Sequence, residues 1–339
     1  MPLPNQDTLD PRLAAIVGEI MAALPATPPE PPTPAPKPGQ SRAEWAADVA
    51  AARSAHDAPP EVVAHLLPPR SPTVASVIDH DIDVDGGQVT ARVYSPVGAG
   101  PFPAIVFYHG GAWWLAGGET GFGLTDGFCR IYCAETGSVV VNVDYRLAPE
   151  HPYPRQLEDS YTGMLWTVEH ASELNVDPAN VSVMGQSSGG NLAAAVCLLA
   201  RDRGGPAIRS QTLHIPGLDL TLTSPSITED PATLAGLRQV RLLYAREDQF
   251  TDGYVSPLLA EDLSGLPPAI IVTGEHDFVR DDGRRYAARL TAAGVDVRAL
   301  EYPMLHGVAL PETTEQMLAD MVTALREVQA AAPRAKAVT

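Results

Sequence analysis

The amino-acid sequence predicts an α/β fold in which a mostly parallel sheet of eight strands is flanked by helices. From about residue 74 onward, short apolar runs rich in β-branched residues alternate with amphipathic runs of helical period. Most of the apolar runs are nearly continuous, which is typical of strands buried on both faces of a parallel sheet. The carboxyl ends of such strands are where ligand sites form, so functional residues are expected there.

The first two predicted strands form a hairpin, because the turn sequence Asp85-Gly86-Gly87 separates them. The eight strands are predicted at residues 74–84, 88–95, 104–108, 138–144, 181–184, 211–215, 269–273 and 297–302. Helical patterns lie between and after them, at residues 121–136, 155–174, 188–203, 233–247, 279–293 and 312–331.

The N-terminal 73 residues differ from the rest of the chain in composition and in hydrophobic pattern. An amphipathic helix is predicted at residues 9–24, and helix-forming composition returns at residues 41–66. Between them, eight of the fourteen residues from Pro25 to Pro38 are proline, which enforces extended geometry and indicates a linker or a mobile loop. The helical segment is expected to act either as a lid over a pocket or as a packing arm.

Composition excludes several classes of partner. The 339 residues carry 23 basic and 41 acidic side chains, a formal net charge of −18, which argues against nucleic acid and anionic membranes as partners. Three cysteines, Cys129, Cys133 and Cys197, are too few for a disulfide scaffold and fit a reducing compartment. No basic segment followed by an apolar run opens the sequence, and no apolar stretch approaches the ~20 residues that span a bilayer. We therefore expect a cytoplasmic protein.

The most informative motif is Gly185-Gln186-Ser187-Ser188-Gly189, which lies between a predicted strand and a predicted helix. This Gly-x-Ser-x-Gly pattern in a strand-turn-helix context is typical of a nucleophile elbow, in which the serine sits on a sharp, strained turn. Side chains at Gly185 or Gly189 are expected to collide with the neighbouring strand and helix. The positive end of the following helix would face the reacting oxygen.

A serine hydroxyl needs a base within hydrogen-bond reach and a third group that orients the base. His306 follows the last predicted strand and Asp277 follows the strand before it. The chain order Ser187, Asp277, His306 is the order of α/β-hydrolases.

Other residues compete for the roles of base and acid. His276 is adjacent to Asp277 but precedes it, which would break the expected order. Asp281 and Asp282 lie one turn later, where the N-terminus of a helix favours carboxylates for ordinary dipole reasons. We therefore place His306 and Asp277 first, with Asp281 next.

Acyl transfer also needs donors aimed at the oxyanion of the tetrahedral intermediate. The segment His109-Gly110-Gly111-Ala112-Trp113-Trp114 follows the third predicted strand, and its glycines leave backbone N–H groups accessible. His109 is expected to anchor this loop by hydrogen bonding. Trp113 and Trp114 are candidates either to line the substrate pocket or to wedge the loop. Ser188 is expected to contribute its backbone N–H rather than its hydroxyl.

Over residues 75 to 325 the chain resembles the hormone-sensitive-lipase-like esterases, the bacterial family IV lipolytic enzymes. The resemblance rests on the glycine loop, on the elbow and on four further segments: residues 144–154 (DYRLAPEHPYP), 255–260 (VSPLLA), the Asp277 segment, and His306-Gly307. It implies the α/β-hydrolase fold with a helical cap formed by the N-terminal region and part of residues 205–250. We therefore divide the chain into a cap or lid region at residues 1–73, a catalytic domain at residues 74–329 and a disordered tail at residues 330–339.

The resemblance also implies roles for individual residues. Ser187 would be the nucleophile, His306 the base and Asp277 its orienting acid. The N–H groups of Gly111, Ala112 and Ser188 would form the oxyanion hole, with Gly110 shaping the loop. These roles imply a carboxylic-ester hydrolase that needs no metal or cofactor and acts on short- to medium-chain or small aromatic esters. A homodimer through an edge strand is compatible with the family.

Three motifs depart from the family's usual sequences. Ala112 replaces the third glycine of the loop, Gln186 and Ser188 replace Asp and Ala in the elbow, and Phe278-Val279 replaces Pro-Leu after the acid. Two other functions remain open at this point. One is a deacetylase or acyltransferase of a specialised metabolite, which would keep the acyl-enzyme. The other is a non-catalytic ligand-binding protein of the same fold.

Overall fold

Eight strands form one sheet, as the sequence predicts. The computed structural model of the chain describes residues 9–25 and 29–331. The strands are β1 (Ser76–Val84), β2 (Gly87–Ser95), β3 (Phe102–Tyr108), β4 (Val139–Asp144), β5 (Val176–Gln186), β6 (Gln211–His214), β7 (Ala269–Gly274) and β8 (Val297–Tyr302). Their order across the sheet is β1-β2-β4-β3-β5-β6-β7-β8. The β1–β2 and β2–β4 pairs are antiparallel and every other pair is parallel.

Helices cover both faces of this sheet. One face packs against α5 (Arg155–Glu169), α6 (Ser188–Asp202) and α9 (Arg280–Ala292), and the other against α4 (Gly118–Thr136) and α10 (Pro311–Ala330). Strand β3 shows why the apolar runs are continuous, because Val106 faces the first helical layer while Ile105 and Phe107 face the second. Cys129, Cys133 and Cys197 are free and buried in these layers.

The N-terminal segment forms α1 (Pro11–Ala23), α2 (Arg42–Ala55) and α3 (Pro60–Leu66). Asp10 caps α1, and Ser41 with Glu44 forms a capping box on α2. The described part of the proline-rich segment is docked on α2, since the buried indole of Trp45 donates to the Thr33 carbonyl at 3.0 Å. Pro59 precedes α3 and Pro60 is its first residue, a position where proline is tolerated.

Two more helices, α7 (Pro225–Thr228) and α8 (Pro231–Tyr244), lie between β6 and β7. Helix α8 corresponds to the helix predicted at 233–247, but it begins two residues before that range and ends three residues before its end. The last predicted residue, Glu247, starts a separate 3-10 turn at Glu247–Gln249. Within the described ranges, no helix is long and apolar enough to cross a membrane. The predicted tail at 330–339 falls mostly outside the described residues, since α10 ends at Ala330 and residues 332–339 are not described.

Candidate active site

Ser187 stands at the sharp turn between β5 and α6, with φ 55° and ψ −116°. This conformation is strained for a residue that carries a side chain, and two glycines make room for it. A Cβ on Gly185 would lie 2.1 Å from the carbonyl oxygen of Gly189, and a Cβ on Gly189 would lie 2.0 Å from that of Tyr108. The Ser187 N–H donates to the His214 carbonyl at 2.9 Å, which fixes the turn to the end of β6.

The structure brings Ser187, His306 and Asp277 together in one hydrogen-bonded series. Ser187 Oγ lies 2.9 Å from His306 Nε2, and His306 Nδ1 lies 3.0 and 2.9 Å from the two oxygens of Asp277. Asp277 is 2% exposed and also accepts the N–H of Val279 at 3.0 Å. Each of the three follows the carboxyl end of a parallel strand. The arrangement suits a serine nucleophile with a histidine base held by a carboxylate.

The competing residues lie elsewhere. The His276 N–H donates to the Met304 carbonyl, which holds the turn in place. Asp281 accepts the Ser226 N–H at 3.0 Å, and Asp282 accepts two backbone N–H groups of the loop after β6. Burial raises the pKa of Asp282 to about 7. In the described part of the chain, none of the three is hydrogen-bonded to His306, so their contacts are those of structural residues.

The glycine loop presents a row of backbone N–H groups beside the elbow. Gly111, Ala112 and Trp113 have φ values of 114°, 51° and 64°. A Cβ on Gly111 would lie 2.4 Å from the Leu115 carbonyl oxygen, so only glycine fits there. Among the described residues, no acceptor is found for the N–H groups of Gly111 and Ala112. Successive N–H groups in such conformations form a concavity that binds anions.

The loop is seated directly on the elbow. A Cβ on Gly110 would lie 3.2 Å from the Gln186 carbonyl oxygen and 3.5 Å from Ser187 Cβ. Ser188 is the first residue of α6, so its N–H has no intrahelical acceptor. Ala112 adopts a left-handed conformation, which costs a residue with a side chain about 1–2 kcal/mol. Glycine would adopt the same conformation without this strain.

His109 is buried and its contacts are those of a loop anchor. Its ring stacks on Tyr145 at 4.1 Å between centroids, and its Nδ1 donates to the Gly110 carbonyl at 2.7 Å. The Tyr145 hydroxyl donates to the His109 carbonyl at 2.8 Å. Burial lowers the pKa of His109, which favours the uncharged form of the ring.

Both tryptophans of the loop are buried against protein, an arrangement that favours the wedge over the pocket lining. Trp113 stacks on Tyr244 of α8 at 4.4 Å, and Trp114 makes an edge contact with His56 after α2 at 4.7 Å. Arg53 of α2 donates to the Trp114 and Ala148 carbonyls at 2.7 and 2.9 Å and pairs with Glu150 at 2.7 Å. Helix α2 is thereby attached to the glycine loop.

Three features near the serine and histidine were missed from the sequence. His214, 5% exposed at the end of β6, is paired across the sheet with Gln186 and with Val272. Phe278 contacts the ring of His306. Helices α1 and α3 also pack on the loop of His306, where apolar side chains meet: Leu9, Leu13, Ile16, Ile20, Leu66, Leu305, Val308 and Leu310.

His214 is an unusual residue for a buried strand. Its Nε2 finds no hydrogen-bond partner within the described ranges, and burial together with nearby His306 lowers the pKa of His214 to about 4. The next residue, Ile215, has φ 44°, which is rare for a β-branched side chain. The signal in the sequence was a single histidine within the apolar run Leu213-His214-Ile215.

Comparison with known proteins places these residues in context. A sequence model of the alpha/beta hydrolase fold matches residues 105–310. The carboxylesterase NlhH of Mycobacterium tuberculosis is 40% identical over 266 residues, which cover 74% of this chain and 77% of that protein. An arylesterase of Saccharolobus solfataricus is 36% identical over 67% of this chain and 74% of its own length. Among solved structures, a bacterial heroin esterase superposes with a TM-score of 0.78 at 32% identity, over 97% of this chain and 100% of that one.

Proposed function

Given that the chain belongs to the alpha/beta hydrolase fold family, within the hormone-sensitive-lipase-like branch, and is a carboxylic-ester hydrolase, we propose that it works through a serine acyl-enzyme. Ser187 is the nucleophile, His306 the base and Asp277 the acid that orients it. The observation that carries the proposal is the unbroken series of contacts at 2.9–3.0 Å from Asp277 through His306 to Ser187.

The reaction begins when Ser187 Oγ attacks the ester carbonyl carbon and its proton passes to His306 Nε2. The tetrahedral intermediate collapses with cleavage of the carbon–oxygen bond, and the departing alcohol takes the proton from Nε2. Water then attacks the acyl carbon and gives a proton to Nε2. The second tetrahedral intermediate collapses as its bond to Ser187 Oγ breaks and Oγ takes that proton from Nε2, which releases the carboxylic acid and restores the free enzyme. Asp277 accepts from Nδ1 throughout, which holds the tautomer that leaves Nε2 free to accept.

The negative charge of both tetrahedral intermediates falls on the former carbonyl oxygen. We place this oxygen against the N–H groups of Gly111, Ala112 and Ser188, because the loop rests on the elbow and these donors lack acceptors within the chain as described. Losing one such donor typically costs about 10²–10³ in rate.

The substrates are proposed to be short- to medium-chain or small aromatic esters, with water as acyl acceptor. Relatives named arylesterase and heroin esterase support the aromatic part of this proposal. Product analysis with and without added alcohols or amines tests the acceptor. An ester or amide formed at the expense of the free acid would assign the protein to acyl transfer instead.

Two neighbouring serines provide a matched test of the mechanism. Ser187→Ala should lose at least about 10³-fold in kcat toward short p-nitrophenyl esters, since it removes the attacking oxygen. Ser188→Ala removes a second hydroxyl one residue away but keeps the backbone N–H, so its kcat should stay within about threefold of wild type. Hydrolysis by the Ser187→Ala protein at the wild-type rate would disprove the mechanism.

A further inference from the structure

The residue after the acid, Phe278, is one of the three departures from the family motif, and the structure places it against His306. The centroids of the two rings are 4.5 Å apart and the ring planes are inclined by 35°. In the plane of the imidazole, Nε2 meets Ser187 and Nδ1 meets Asp277. Phe278 therefore covers a face of the ring, a direction that neither hydrogen bond restrains.

Phe278 is itself held in place from two sides. Its ring packs against the apolar cluster under α4 and α10, and its carbonyl accepts the Ser226 hydroxyl at 2.8 Å. Ser226 lies on α7 and its N–H donates to Asp281 at the start of α9. The aromatic ring is thus a fixed support rather than a side chain free to turn away.

Within the described residues, two titratable side chains interact with the imidazole. Asp277 lies at Nδ1, and His214 is nearby on β6 but uncharged, since the pKa of His214 is lowered to about 4. Helices α1 and α3 turn apolar side chains toward the His306 loop. Of their titratable residues, His65 pairs with Glu19 at 3.3 Å, Arg12 pairs with Asp10 and Glu312 at 3.1 and 2.6 Å, and Glu61 is exposed. Stabilisation of a cationic His306 therefore depends on Asp277 and on whatever covers the ring face.

We propose that Phe278 is a positioning residue for His306, whose aromatic face holds the imidazole between Ser187 and Asp277 and stabilises the imidazolium that forms as Ser187 attacks. The inference rests on the proposed serine mechanism. The negative face of an aromatic ring attracts a cation within about 6 Å of its centroid, with an effect of about 0.5–1 kcal/mol at partly exposed sites. That energy corresponds to about a two- to fivefold change in rate.

The test compares Phe278→Leu, which keeps apolar bulk but removes the aromatic face, with Phe278→Tyr, which keeps the ring. Phe128→Leu is the matched control, because Phe128 is buried in the same cluster but lies on α4. Phe278→Leu should lower the plateau of kcat/KM about two- to fivefold and move its acid limb about 0.3–0.7 pH unit lower, since His306 then becomes cationic less readily. Phe278→Tyr should keep the plateau and the acid limb of wild type, and Phe128→Leu should leave the acid limb in place.

An acid limb that coincides in Phe278→Leu and wild type would overturn the proposal, and so would a shift of equal size in Phe128→Leu or in Phe278→Tyr. Ser187→Ala is measured alongside. If Ser187→Ala keeps wild-type activity, the serine mechanism fails. If Ser187→Ala is inactive while the acid limb of Phe278→Leu does not move, only the role of Phe278 fails.

Discussion

Replacing the buried imidazole of His214 by a side chain that does not titrate should change how stability depends on pH. The pKa of His214 is about 4 in the folded protein, against about 6.5 in an unfolded chain. As the pH falls below 6.5 the unfolded chain takes up a proton that the folded protein does not, so acid favours unfolding. Through His214 alone, the free energy of unfolding should be lower than at neutral pH by about 2 kcal/mol at pH 5 and by about 3 kcal/mol at pH 4.

The assay is urea unfolding of wild type, His214→Gln and His214→Asn at pH 7, 6, 5 and 4.5. The free energy of unfolding of wild type should fall with acidification by about 2 kcal/mol more than that of either variant at pH 5. Asp282, whose pKa is raised to about 7, acts in the opposite direction but is common to all three proteins, so it cancels in the comparison. Parallel curves for wild type and both variants would refute the reasoning.

Three further predictions concern the residues around the serine. Asp277→Asn should lower kcat by about 10³–10⁴-fold with little change in KM, because His306 loses the partner that fixes its tautomer; a change below tenfold in steady-state assays would contradict this. Ala112→Gly should keep kcat/KM within about threefold and leave the urea midpoint equal or higher, because glycine adopts φ 51° without strain. Arg53→Met, which keeps the aliphatic stem, should cost roughly 1–2 kcal/mol in urea unfolding and raise KM, because α2 is released from Trp114. Glu150→Gln, which leaves the backbone contacts of Arg53, should cost less.

Much of the site was predictable because it depends on where strands end. Ser187, Asp277 and His306 each follow an apolar run, and parallel strands bring their carboxyl ends to one edge of the sheet. The elbow glycines were predictable as well, since crowding at a strand-to-helix turn is a local property. Gly185 and Gly189 leave no room for a Cβ.

The features of the site that the sequence did not predict depend on packing between distant segments. The contact between Phe278 and His306 is decided by two loops that follow different strands. The lack of a hydrogen-bond partner for His214 Nε2 among the described residues is decided by the strands on either side of it. The sequence shows that Ala112 stands where the family usually has glycine, but only the structure gives its φ of 51°. The homodimer through an edge strand stays a prediction, with β8 at one edge of the sheet.

The most direct test of the serine mechanism is covalent labelling by a fluorophosphonate, followed by peptide mass analysis. An activated serine beside a histidine base reacts with such a reagent, whereas an ordinary hydroxyl does not. We expect one label per chain, on the peptide that contains Ser187, retained in Ser188→Ala and lost in Ser187→Ala. A label on another residue, or an unlabelled protein that still hydrolyses esters, would contradict the assignment of Ser187 as the nucleophile.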